Sequence, residues 1–143
     1  MFMNSNKAFA KVTADNIRRG CDKDWGCGGF GDSRGSRVHQ GLDIKTVPGQ
    51  KITSPISGTV TRFPYPYGDD LRWTGIEIKN SQYHVKIFYM SASVAANTAV
   101  KQGQVIGIAQ NIASKYSSTM TNHVHVEVRN AKTGALINPE TLF

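Results

Sequence analysis

Apolar and polar positions alternate most clearly near the end of the chain. The run His123-Val-His-Val-Glu-Val-Arg129 predicts a strand with Val124, Val126 and Val128 on a core face and His123, His125, Glu127 and Arg129 on the other. Residues 75–79 and 83–90 alternate too, and Asn80-Ser81-Gln82 between them predicts a hairpin. Shorter β-branched segments at 50–55 and 58–63 are punctuated by Pro48, Gly49, Pro55 and Gly58, and residues 101–108 read as a turn entering a buried strand. Upstream of Val38 no period is sustained. One short helix is expected within residues 4–19. The glycine-rich stretch 20–35 is expected to be a loop beside something that needs room, such as a ligand or metal. Many short strands and little helix predict an all-β domain over residues 38–143, an antiparallel two-sheet sandwich or partly open barrel. Residues 1–37 form a loop-rich N-terminal extension.

A length of 143 residues fits one core, and 39% hydrophobic with 19% charged residues is the composition of a globular protein. The net charge of +7 predicts attraction to polyanions, including the carboxylate-bearing peptides of bacterial walls. Lysines and arginines are spread without a run of five or six, so no nucleic-acid partner is expected. No apolar stretch is long enough for membrane insertion. The start, MFMNSNKAFAKV, lacks the apolar middle of a signal peptide, which leaves a trimmed mature region or another export route.

Cys21 and Cys27 are the only cysteines, and their spacing rules out a CxxC redox or zinc pair. Two free thiols or a local disulfide both satisfy the sequence. The disulfide is favoured here; it would stabilise the fold by about 2 kcal/mol on the chain-entropy model and imply an oxidising compartment.

Two small constellations carry candidate chemistry, His39-Gln-Gly-Leu-Asp43 and His123-Val-His125. The first is not a helical HExxH motif, because Gln40 and Asp43 stand where that motif needs Glu and His. On a strand, His123 and His125 lie on one face about 6.5 to 7 Å apart, so both imidazoles can reach one centre. Two histidines and one carboxylate meet the ligand count of a catalytic zinc site, which keeps its fourth position for water.

The order HQGLD, SPISGTV, VKQGQVIG, HVHVEVR and INP resembles the lysostaphin-type zinc endopeptidases over residues 38–143. The resemblance implies Zn2+ held by His39, Asp43 and His125, with His123 assisting as general base while zinc-bound water attacks a peptide carbonyl. It also implies a peptide cross-link of bacterial peptidoglycan as substrate and a secreted or periplasmic site of action. One position departs from the pattern. Bacterial members usually carry a second catalytic histidine where this chain has Tyr89, a replacement shared with an animal leukocyte-derived chemotaxin of the same fold that keeps zinc and signals. The segment CDKDWGC is similar to that chemotaxin as well.

A phenol can donate a hydrogen bond to a developing oxyanion, so Tyr89 is the candidate for the missing histidine's place, with a packed aromatic as the alternative. His84 lies five residues earlier and is expected on the opposite strand face. Arg34, Arg37 and Arg62, and the aromatics Tyr65, Tyr67 and Trp73, are compatible with a substrate groove but are not assigned to the site. The rival class is a noncatalytic zinc protein that binds a receptor or glycan on the same scaffold. An antibacterial toxin domain delivered by a secretion machine is a further expectation; no immunity or carrier protein can be read from the sequence.

Overall fold

The computed structural model describes residues 8–22, 26–31, 33–34, 37–38, 40–116 and 120–143, with backbone alone at 22, 26–27, 33–34 and 37–38. Two short antiparallel ladders come first, β1 (Cys21–Asp22) with β2 (Gly26–Cys27) and β3 (Ser33–Arg34) with β4 (Arg37–Val38). The body follows as β5 (Leu42–Lys45), β6 (Lys51–Thr53), β7 (Gly58–Arg62), β8 (Gly75–Lys79), β9 (Tyr83–Phe88), β10 (Met90–Ala92), β11 (Ala99–Val100), β12 (Val105–Ala109), β13 (His123–Asn130) and β14 (Leu136–Ile137). Helix is confined to α1 (Ala113–Tyr116) and a 3-10 turn at Pro139–Thr141 among the described residues.

The larger sheet runs β11-β7-β8-β9-β13, and the far edge of β13 is shared by β5 along its first half and β14 along its second. A smaller sheet, β10-β12-β6, is also antiparallel, and no barrel closes. The expected all-β, two-sheet architecture is therefore the observed one. The hairpin turns at Asn80, whose side-chain oxygen accepts from the backbone N–H groups of Gln82 and Tyr83 at 2.8 Å each.

The core follows from alternation. Val124, Val126 and Val128 of β13, Val85 and Ile87 of β9, Ile76 and Ile78 of β8 and Ile44 of β5 are fully buried in one cluster. Each such aliphatic side chain contributes about 1.5 to 3 kcal/mol by leaving water. Because the inward positions are fixed by this cluster, a one-residue slip of β13 would turn its valines outward and its histidines into the core.

The helix expected within residues 4–19 does not form among the described residues 8–19. Side chains capture the backbone instead: Asn16 accepts from the Val12 N–H at 3.0 Å, and Thr13 Oγ1 accepts from the Asn16 N–H at 2.8 Å. Asn16 itself adopts φ 53°. Phe9 and Val12 join the core, and residues 17–19 run beside β5 on the edge away from β13, with Lys45 donating to Ile17 O and Arg19 donating to Asp43 O, both at 2.7 Å.

Candidate functional site

The outward face of β13 meets two neighbours in register. His123 stands opposite Lys45 and His125 opposite Asp43 on β5, while on β9 His125 stands opposite Phe88. Directly opposed residues share a face, so Asp43, His123 and His125 are gathered on one surface of the sheet. The Phe88 ring stacks on the His125 ring at 6.1 Å between centroids. Gly41 lies against the other side: a Cβ there would fall 2.7 Å from His125 Cε1 and Nε2. The histidine is thus held between an aromatic ring and a backbone that must lack a side chain.

Four charged groups then form an alternating chain. Glu127 Oε1 is 3.2 Å from His125 Nε2, His125 Nδ1 is 2.9 Å from Asp43 Oδ1, and Arg19 Nε donates to Asp43 Oδ2 at 3.1 Å. Burial opposes charge on His125, but the hydrogen bonds to Asp43 and Glu127 prevail and raise its pKa to about 9. His125 in turn holds the Glu127 carboxyl below its usual range. Both imidazole nitrogens therefore face carboxylates, a pattern that suits either a proton or a metal on Nδ1 with Glu127 orienting the ring from behind.

His123 is placed differently. Its Nδ1 is 2.8 Å from the Thr121 carbonyl, which only accepts, so that nitrogen carries the hydrogen and Nε2 is left as the proton acceptor. Nε2 lies 3.6 Å from Asp43 Oδ2. Burial lowers the His123 pKa and keeps the ring neutral at neutral pH.

Tyr89 falls between β9 and β10 with φ 69°, a left-handed conformation uncommon for a residue with a large side chain. Backbone bonds hold it on both sides: its N–H donates to Thr74 O at 2.8 Å and its carbonyl accepts from Gln110 N–H at 2.9 Å. The break in alternation brings the Tyr89 ring edge-on to His123, 5.4 Å between centroids. Burial pushes its phenol up to about 12, against the lowering effect of a hydrogen bond with Tyr67, whose hydroxyl is 3.2 Å away. Tyr67 also hydrogen-bonds Tyr116 next to the site, with the Lys115 ammonium 4.7 Å from the Tyr67 ring centroid.

The expectation that His84 points to the opposite face is corrected. His84 pairs with Arg129 on the same face as His125, because the parity argument assumed a regular strand through Tyr89. It is nonetheless four residues along β9 from the Phe88 pair, roughly 13 Å. Of the remaining groove candidates, Trp73 is buried and donates to Asp70, Tyr65 is exposed, and Arg62 pairs with Glu77.

The structure brings together Asp43, His125, His123 and Tyr89. His39 lies outside the described residues, and among the described residues no group of three or more His, Cys, Asp or Glu is arranged to hold a metal. Cys21 and Cys27 stand directly opposite each other in the β1–β2 backbone register. Three partners were not assigned to the site from the sequence. Glu127 was legible as the next residue on the histidine face and Tyr67 as a groove-compatible aromatic in its loop, whereas Arg19 reaches the site from a distant segment with no local signal.

Residues 37–139 match the profile of peptidase family M23. Leukocyte cell-derived chemotaxin-2 of Mus musculus is 29% identical over 115 residues, covering 80% of this chain and 74% of the relative. Among solved structures, the catalytic domain of the antimicrobial peptidase lysostaphin from Staphylococcus simulans has a TM-score of 0.60 at 18% identity, covering 78% of this chain and 86% of that one. A zinc-containing peptidase from Vibrio cholerae has a TM-score of 0.64 at 23% identity over 92% of this chain, which spans only 39% of that longer protein. At these identities the structural likeness is one of fold. The profile match extends over most of the chain, and the chain belongs to peptidase family M23.

Proposed function

We propose that this protein is a zinc-dependent hydrolase that cuts peptide cross-links of bacterial peptidoglycan. The observation that carries the reading is the division of roles on one strand face. His125 Nδ1 and Asp43 Oδ1 face each other at 2.9 Å as a nitrogen–oxygen donor pair, while neutral His123 stands beside them with Nε2 able to accept a proton. An oxygen and a nitrogen so placed, with Glu127 on the far side of the imidazole, fit zinc by donor chemistry, and His39 is proposed as the third ligand. When bound, zinc supplies a Lewis acid that acidifies water to near neutral pH and polarises a carbonyl.

The protein's own residues supply the rest. His123 takes a proton through Nε2 and returns it to the departing amine. Tyr89 stays a protonated phenol at neutral pH and donates to the oxygen where negative charge develops, its hydroxyl oriented by Tyr67. A bridged Cys21–Cys27 pair, supported by the β1–β2 register, and a +7 charge suit an extracytoplasmic site of action on an anionic wall. Among the described residues no helix is long and apolar enough to cross a membrane.

Incubation with purified sacculi, followed by mass spectrometry of released muropeptides, tests the proposal; zinc-loaded protein should release them and metal-depleted protein should not. A second reading is favoured by Tyr89 and by the likeness to the chemotaxin: a noncatalytic zinc protein that binds a receptor or glycan. Zinc-loaded protein that releases nothing yet binds sacculi or a glycan would select it.

A further inference from the structure

The segment ahead of the family-matched region reaches the candidate metal site. Arg19 lies outside the matched residues 37–139, yet its side chain is only 2% exposed and its Nε donates to Asp43 Oδ2 at 3.1 Å. The contact is not limited to side chains. The Arg19 N–H donates to the Asp43 carbonyl at 2.7 Å, and the Asp43 N–H donates to the Gly28 carbonyl at 2.9 Å. Gly28 closes this arrangement tightly: a Cβ there would fall 2.5 Å from Arg19 O and 3.1 Å from Asp43 Cβ.

A carboxylate has two oxygens, and an aspartate free to rotate can offer either or both to a cation. Here the oxygens have different partners. Oδ2 accepts from the buried guanidinium, and Oδ1 faces His125 Nδ1. A guanidinium suits this task because it stays charged when buried, and its planar donors fix the plane of the carboxylate they bind. Removing either member alone would leave the other as a buried charge without this counter-charge.

We infer that Arg19 is a positioning residue for the metal site, holding Asp43 through Oδ2 so that Oδ1 alone is presented to zinc beside His125 Nδ1. The inference rests on the zinc reading above. It makes Arg19 and Gly28 part of the site and gives the N-terminal extension a task in metal binding as well as in packing. Outer partners of metal ligands typically change metal affinity 10- to 100-fold when removed, which sets the expected effect.

The test measures zinc dissociation constants of the full chain by competition with a chromophoric chelator, alongside thermal unfolding of the metal-depleted protein. Wild-type protein that takes up no zinc would sink the proposed function. Wild-type protein that binds zinc allows the inference to be judged separately. Arg19→Met should then weaken zinc 10- to 100-fold in protein that still unfolds cooperatively, and Arg19→Lys should recover part of that loss. A brace for the fold alone would lower the melting temperature of Arg19→Met and leave zinc affinity within about twofold; that result overturns the inference. If Arg19→Met does not fold, Arg19→Gln takes its place, keeping a hydrogen-bond donor toward Asp43 while removing the charge. It should weaken zinc less than 100-fold but by clearly more than twofold in protein that unfolds cooperatively. Zinc affinity within about twofold of wild type in folded Arg19→Gln and Arg19→Lys would overturn the inference.

Discussion

The ring of Tyr89 meets the ring of His123 edge-on, 5.4 Å between centroids, although Tyr89 lies on no strand and His123 opens the longest one. The left-handed backbone of Tyr89 makes the meeting possible, and a left-handed turn costs a residue with a side chain roughly 1 to 2 kcal/mol. Thr74 and Gln110 hold the peptide groups of Tyr89 in place. On the proposed reading, a tyrosine fixed in this way beside a buried imidazole is placed to donate to a developing oxyanion.

Tyr89→Phe should therefore lower turnover of a peptidoglycan peptide by roughly 10²- to 10³-fold, the cost of losing one oxyanion donor, with the melting temperature little changed. Tyr67→Phe should give a smaller loss, since it removes only the group that orients the hydroxyl. Steady-state kinetics of both variants decides; full activity in Tyr89→Phe would reduce this tyrosine to a packed aromatic.

The two histidines of β13 should separate by assay. His123→Ala should retain zinc and lose 10²- to 10⁴-fold in rate, the usual worth of a positioned proton carrier. His125→Ala should lose the metal, and Asp43→Ala should do likewise. Metal analysis by mass spectrometry on the same preparations used for kinetics checks both halves. Zinc undiminished in both the His125 and Asp43 variants would overturn the ligand assignment.

Glu77 offers a test by pH away from the site. It is buried on β8, and although burial alone would raise its pKa, hydrogen bonds from Thr61 and Arg62 and the charges of Arg62 and Lys79 hold it below its usual value. A depressed folded pKa means that the stabilisation is fully present above the unfolded value near 4.5 and is lost as pH falls through the lower folded value. Glu77→Gln should thus be less stable than wild type by about 1 kcal/mol at pH 7, a modest figure because Arg62 is half exposed. Denaturant melts at pH 7 and in strong acid should show the gap closing in acid; a gap independent of pH would mean the charge of Glu77 is immaterial.

Oxidised protein should carry a Cys21–Cys27 bridge. The residues face each other across the β1–β2 ladder, where paired backbones come close enough for a disulfide. Reduction should lower stability by about 2 kcal/mol, the entropy of a short closed loop. Intact mass after alkylation without reductant checks it, and two added alkyl groups would disprove the bridge.

Much of the β architecture was legible because alternation has a single physical origin. Val124, Val126 and Val128 have to leave water together, and a strand can bury them on one face only by putting His123, His125 and Glu127 on the other. The same reasoning failed in two places. For His84, counting residues to Tyr89 assumed a continuous strand, and the left-handed residue broke the count. Within residues 8–19, the polar side chains of Thr13 and Asn16 bonded the backbone locally and displaced the expected helix.

By itself, then, the sequence determined the elements whose cause is local: the hairpin at Asn80, the valine face of β13 and the shared direction of its two histidines. Tertiary structure alone decided what meets them. Arg19 lies 24 residues before Asp43, and Tyr67 lies 22 before Tyr89, separations at which no backbone period relates one side chain to another. Only the docking of residues 17–19 along β5 brings Arg19 to Asp43, and only the folding of the loop after β7 over the sheet brings Tyr67 to Tyr89. Which residues of a strand share a face is set by their spacing in sequence, whereas these contacts are set by which surfaces the whole chain must bury together.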